Sequence, residues 1–222
     1  MKLRIVYDNE AKEGLESDWG FACLLEVEKK ILFDTGASAE ILSRNMHQLG
    51  LKKEDIEIIA LSHEHWDHIG GLDAVLHQNV TVYVPSSFTR RTKKSIGETA
   101  AEVVEVSEPA DIVPGVHTTG ELRAGAEGGI KEQSLVLDTK EGEGVVVLTG
   151  CAHPGLENIL EAAKRFGELY GVIGGFHGFD NLKSLEKLKM VIPCHCTVHK
   201  EEIRRRYSEK AVWCGAGVVI EI

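Results

Sequence analysis

The sequence predicts an α/β fold whose chemistry gathers at the carboxyl ends of its strands. Three observations carry that expectation. The last third of the chain alternates short apolar runs with helical stretches, the pattern of βαβ units and parallel pairing. Metal-seeking side chains follow four of the apolar runs: His63 after 56–61, Cys151 and His153 after 145–149, His177 after 169–173, and His195 after 190–192. In open α/β sheets, ligands bind outside such strand ends. Finally, 222 residues with 43% hydrophobic and 27% charged side chains suffice for a buried core.

Taken in order, residues 3–6, 22–27 and 31–34 read as strands, with Lys29-Lys30 as a hairpin turn. Ser38 can cap a helix whose apolar face is Ile41, Leu42, Met46 and Leu49, and Gly50 stops it. Residues 56–61 form a short, β-branched run, read as a buried strand ending at Ser62-His63. A short helix over 72–77 and a strand over 80–84 follow. Residues 85–100 read as a loop carrying Arg90, Arg91, Lys93 and Lys94, and 103–106 as a strand. The glycine-rich stretch 120–129 has no period and reads as a long loop. A hairpin pairs 135–137 with 145–149 across Gly142-Glu143-Gly144. Helix 156–166, strand 169–173, helix 182–188 and strand 190–192 complete the reading. No repeat or low-complexity linker divides the chain, so a single domain over 1–222 is expected.

The net charge of −10 argues against a broad nucleic-acid-binding face. No apolar stretch approaches the ~20 residues that span a bilayer. The N-terminus turns polar at Tyr7-Asp8-Asn9-Glu10, too soon for a secretory signal, so a cytoplasmic location is expected. The five cysteines are odd in number and do not suggest a disulfide framework, in keeping with a reducing compartment.

The run His63-Glu64-His65-Trp66-Asp67-His68 places three imidazoles and a carboxylate within six residues. Zinc and similar divalent ions take neutral imidazole nitrogen and carboxylate oxygen. In a turn after a strand, His63 and His65 can converge on one ion while Asp67 and His68 face a neighbouring one. Two adjacent ions clamp attacking and leaving oxygens, and bound water ionises near neutrality.

Ser62 to Leu72, read as S-H-E-H-W-D-H-I-G-G-L, resembles the H-x-H-x-D-H signature of the metallo-β-lactamase superfamily. Ile31 to Gly36 resembles the strand and turn that precede it there. The resemblance implies an αββα sandwich, two mixed β-sheets flanked by helices, with metals at one edge. Three later segments, 149–155, 174–177 and 193–197, are similar to a subgroup labelled dihydropterin ribofuranosylaminobenzene phosphate synthase.

Carried over residue by residue, the resemblance implies His63, His65, Asp67, His68 and His195 as metal ligands. Cys151 stands where the superfamily has a bridging aspartate. The usual third histidine, in a Gly-His-Thr context, has no counterpart, and His153 is the substitute. His177 is a candidate ligand or proton donor, and Asp67 a candidate base. Asp34 is positioned to orient a ligand histidine through a hydrogen bond. Glu64 and Trp66 are expected to face outward or pack, and Cys194 and Cys196 to pack or to support ligands. Arg90, Arg91 and Lys93 are candidates for holding an anionic group of a small-molecule substrate.

The expected activity is metal-dependent hydrolysis of a phosphoester or ester by a metal-bound hydroxide, with one or two zinc ions, or iron or manganese. The alternatives are a pterin-type transferase forming a carbon–nitrogen bond, or a metal- or ligand-binding protein without turnover. No nucleic-acid or membrane partner is expected.

Overall fold

The computed structural model describes residues 1–123 and 129–222. The chain runs through β1 (Lys2–Tyr7), β2 (Ala22–Glu26), β3 (Lys30–Phe33), α1 (Ala39–Gln48), β4 (Ile58–Ala60), α2 (Trp66–Ile69), β5 (Thr81–Pro85), α3 (Arg90–Gly97) and β6 (Glu102–Val106). It continues through β7 (Ala110–Val113), β8 (Val116–Thr118), β9 (Leu122–Arg123), β10 (Lys131–Glu132), β11 (Leu135–Asp138) and β12 (Val145–Thr149). Then come α4 (Leu156–Ala163), β13 (Leu169–Gly175), β14 (Met190–Cys194), α5 (Lys200–Arg206) and β15 (Val219–Glu221).

Two mixed sheets result. One has the order β15-β1-β2-β3-β4-β5-β6, and the other β14-β13-β12-β11-β8-β7. Strands β3 to β6 run parallel, as do β12, β13 and β14. The βαβ expectation for the last third therefore holds.

Period-2 alternation explains why both faces of each sheet are buried. From the first sheet Leu3, Ile5, Cys23, Leu25, Ile31 and Phe33 face inward, against Leu135, Leu137, Val146, Leu148 and Ile173 of the second. The intervening residues face outward. Leu24, Leu32 and Ile59 pack with Leu42 and Met46 of α1, and Val145, Val147 and Val172 with Ile159 and Leu160 of α4. Helices thus cover two sheets packed face to face, the αββα arrangement.

Several elements depart from the sequence reading. Segment 85–100 is not all loop. Thr89 caps α3, accepting a hydrogen bond from the Thr92 amide, and of its residues only Ile96 is buried. With no apolar stripe, this helix left no periodic trace. The helices expected over 72–77 and 182–188 are 3₁₀ turns, Leu72–Ala74 and Leu182–Lys187. Part of 120–129 pairs as β9 with β10, and the rest of that expected loop, 124–128, lies outside the described residues. Cys194 and Cys214 form a disulfide with a Cα–Cα distance of 5.4 Å, which corrects the expectation that no cysteines pair in this way. By contrast α1 matches its reading: Ser38 caps it, and it closes with Gly50 N–H donating to His47 O and Leu51 N–H to Met46 O.

Candidate metal centre

The six-residue run leaves β4 and turns through the short helix α2, so that alternate side chains face one edge where the two sheets meet. The turn after β3 holds it there. Thr35 donates through its amide and its hydroxyl to His68 O, at 2.8 and 2.9 Å. The backbones pass so closely that a Cβ on Gly71 would stand 2.0 Å from Thr35 O. Asp34 is fully buried and orients this edge. Its Oδ2 lies 2.7 Å from His68 Nδ1, and it accepts from the Ser62 amide and hydroxyl at 2.7 Å each. Ser62 Oγ in turn lies 2.8 Å from His63 Nδ1. The orienting role expected for Asp34 is seen in these contacts.

The second sheet supplies the facing groups. Cys151 and His153 sit on the turn after β12, and His195 on the turn after β14. Four non-glycine residues have left-handed backbone, Asp34, Ala152, His177 and His195 (φ 58°, 58°, 48° and 43°), and all follow strands at this rim. Such strain collects at functional sites.

The sequence-chosen residues come together. His63 Nε2 is 3.0 Å from His65 Nδ1, His68 Nε2 is 3.1 Å from Cys151 Sγ, and His195 Nε2 is 3.3 Å from Asp67 Oδ2. Ring centroids of His63 lie 4.5 Å from His65, 4.2 Å from His68 and 4.7 Å from His153. Donor atoms lie within 4.8 Å of one another in the trios His63-His65-His153, His63-His68-Cys151 and Asp67-His68-His195. His177 stands apart from these trios, exposed, its ring 5.1 Å from that of His153.

Burial, and then the neighbouring imidazoles, hold His63 well below the ordinary histidine range. Burial followed by His65 and His177 brings His153 down to about 4. Burial also lowers His195. These rings are neutral at pH 7 and present lone pairs. Burial opposes the charged form of His68 as well, but Asp34 outweighs it and raises that group. Asp67 is disfavoured as an anion by burial, yet the close approach of the His195 ring, 3.3 Å away without a hydrogen bond's alignment, and the nearby His68 hold it below the usual carboxylate range.

The donors fit a cation. Nε2 of both His153 and His195 is buried with no hydrogen-bond partner among the described residues. An unpaired buried nitrogen is costly, and a metal ion satisfies it.

Four supporting residues escaped the sequence reading. Glu132 is buried, and its carboxylate accepts from Thr149 Oγ1 and from the amides of Gly150, Cys151, Ala152 and His153, at 2.9 to 3.1 Å. Asn9 Oδ1 lies 2.9 Å from His195 Nδ1, and Asp8 accepts from the His195 amide at 2.8 Å. Trp19 donates to Asp67 Oδ2 at 2.8 Å. Each comes from a segment distant in sequence, and the only local signal is the polar triplet Glu132-Gln133-Ser134 entering β11. Cys196, read as a packing or supporting residue, has its sulfur 3.3 Å from that of Cys151.

Around the rim, Glu64 accepts from the Thr89 amide and hydroxyl and from the Thr92 hydroxyl, tying the histidine run to the start of α3. Arg90 and Arg91 are exposed on its first turn. Lys93 Nζ instead bonds Glu105 and Ser86 O, at 2.7 and 3.1 Å.

The chain is similar to known proteins over its whole length. It is 28% identical over 244 residues to the 7,8-dihydropterin-6-methyl-4-(beta-D-ribofuranosyl)-aminobenzene-5'-phosphate synthase of Methanocaldococcus jannaschii, covering 84% of this chain and 83% of that one. A solved metal-dependent hydrolase of the beta-lactamase superfamily superposes with a TM-score of 0.80 at 26% identity, covering 100% of this chain and 99% of the other. Zn2+-bound PqqB from Methylobacterium extorquens shares the fold at a TM-score of 0.66 and 12% identity, with each chain covered in full (100%). The family model of the metallo-beta-lactamase superfamily matches residues 22–195. With that match and this αββα frame, the chain belongs to the metallo-beta-lactamase superfamily.

Proposed function

We propose that this protein is a metal-dependent hydrolase of a small phosphoester or ester, working as a single domain with zinc as its ion and iron or manganese as alternatives. The carrying observation is the convergence of His63, His65, Asp67, His68, Cys151, His153 and His195 on one edge, two of them with buried, unpartnered Nε2 atoms. When bound, divalent metal supplies a Lewis acid and lowers the pKa of water towards 7.

In this reading His63, His65 and His153 would hold one ion, Asp67, His68 and His195 would hold a second, and Cys151 would lend its sulfur to the centre. Asp34 keeps His68 turned through Nδ1, leaving Nε2 for the metal side. Asp67 is kept anionic and orients the attacking water as a base, steadied by the indole N–H of Trp19. His177, exposed beside His153, is placed to hand a proton to the departing group. A recess of about 300 Å3 lined by His153, His177, Phe176 and Phe179 offers room for the substrate. Arg90 and Arg91 attract its anionic part, while Lys93, held by Glu105, anchors α3 and adds positive charge nearby.

The similarity to the methanopterin-pathway synthase favours a second reading, a carbon–nitrogen bond-forming transferase using the same donors. Elemental analysis of the purified protein and its H63A/H65A variant, followed by a screen of aryl phosphates and esters, tests the proposal. Metal-dependent hydrolysis lost in the variant is expected. A metal-loaded protein inert to every ester, yet joining a pterin to an aminobenzene ribosyl phosphate, favours the transferase. Metal retained by H63A/H65A at wild-type stoichiometry overturns both.

A further inference from the structure

Cys196 follows a residue with left-handed backbone, and that kink at the end of β14 brings two consecutive side chains to one rim. His195 reaches Asp67, and Cys196 reaches Cys151, each at 3.3 Å. The donor atoms of Cys151, His195 and Cys196 all lie within 4.8 Å of one another. Zinc–sulfur bonds of about 2.3 Å in a tetrahedral sphere set two sulfurs roughly 3.8 Å apart. The sulfur pair therefore needs about half an ångström of side-chain relaxation to share an ion, within rotamer adjustment.

Room for the second sulfur is made by Gly175, where a Cβ would stand 2.7 Å from Cys196 Sγ. The third donor, His195 Nε2, is buried and lacks a hydrogen-bond partner among the described residues. Asn9 fixes the ring from its other nitrogen, so Nε2 stays aimed at this point.

We propose that Cys196 is a metal ligand, so that Cys151, Cys196 and His195 give one ion a two-thiolate, one-imidazole donor set. Thiolates favour thiophilic ions, here zinc, cobalt or cadmium, over the oxygen-seeking manganese and magnesium. On binding, each thiol releases its proton to solvent, and no oxidant or reductant takes part. The inference rests on the metal-centre reading above and narrows which ion that centre selects.

The test uses the full chain under inert gas with its Cys194–Cys214 disulfide left intact, stripped with chelator and titrated with Cd2+ or Co2+. Thiolate-to-metal charge-transfer absorption reports sulfur ligation without any assay of turnover. We expect Cys196→Ser to lose about half of the wild-type intensity, Cys151→Ser a similar part, and the double variant all of it. Cys23→Ala, altered in the core between the sheets, keeps full intensity. Equal intensity in wild type and Cys196→Ser overturns the assignment. X-ray absorption of the wild type loaded with a single equivalent of zinc, so that the signal does not average over two ions, gives a reading that no variant's folding can disturb. A shell of two sulfurs near 2.3 Å supports the proposal, and one sulfur or none overturns it. Thiol counting that finds a Cys151–Cys196 disulfide in the metal-loaded protein also overturns it. Metal bound without sulfur sinks this assignment alone, whereas a wild type that binds no metal sinks the functional reading with it.

Discussion

Glu132 shows how one buried side chain shapes the centre without facing it. Its carboxylate gathers four successive amides, Gly150 to His153, and so curls the turn that presents Cys151 and His153. Hydrogen bonds to a charged group contribute about 1.5–3 kcal/mol each, and an unsatisfied buried donor costs about 1–3. Glu132→Gln turns an NH2 group towards one or more of those amides and removes the charge. We expect a loss of about 3 kcal/mol in denaturant unfolding, together with reduced metal stoichiometry by elemental analysis. Wild-type stability with full metal content would show that the turn holds itself. The contrast with His63 to His68 explains what was legible at this scale. Six adjacent residues carry their own geometry, because a strand followed by a tight turn suffices to cluster them. Glu132, Asp8, Asn9 and Trp19 act across long stretches of chain, and nothing beside them in the sequence announces a partner. Cys196 is adjacent to a recognised histidine, but its reach to Cys151 depends on the kink at His195.

Among the elements, α3 is the one whose existence depends on the site it borders. It buries Ile96 alone, so packing stabilises it weakly, and its start is held by Thr89 and by Glu64 of the histidine run. Thr89→Ala removes the cap, a change that costs about 1 kcal/mol, while leaving the metal donors untouched. Glu64→Ala releases α3 from the run. Both variants are expected to raise KM for an anionic substrate with little change in kcat, as is Arg90→Ala/Arg91→Ala. An unchanged KM in the double arginine variant would remove α3 from substrate binding. The elements that were legible are those with strong alternation or a cap and an apolar stripe, such as β2, β12 and α1. Those missed, including α3, β7, β8, α5 and β15, are short, polar or at sheet edges, where tertiary contacts decide the conformation.

At the scale of the whole molecule, the donors are divided between the two sheets. His63, His65, Asp67 and His68 leave the first, and Cys151, His153 and His195 leave the second, so on the proposed reading a bound ion would tie the sheets together at one edge. Binding to the folded state alone stabilises by about 4 kcal/mol when metal stands a thousandfold above its Kd. For a chain of this length that is about 10 °C in Tm. Chelation should lower Tm by that amount, with recovery on adding Zn2+ back, and an unmoved Tm would mean that the sheets do not depend on the ion. The stripped protein should also depend on pH in a defined direction. His63, His153 and His195 are lowered in the folded state, so below about 6.5 the unfolded chain takes up protons that the fold refuses. Their contribution is fully present above pH ~6.5 and is lost as pH falls towards the folded value of about 4 for His153. His68, raised by Asp34, and Asp8, raised by burial to about 6, run the opposite way, losing their contributions as pH rises through their folded values, but they are two groups against three. The melting temperature of the chelated protein should therefore drop between pH 7 and 5, and more steeply than in a His63→Gln/His153→Gln variant, whose side chains do not titrate. Parallel pH curves for the two proteins would show that these imidazoles are not held neutral by the fold.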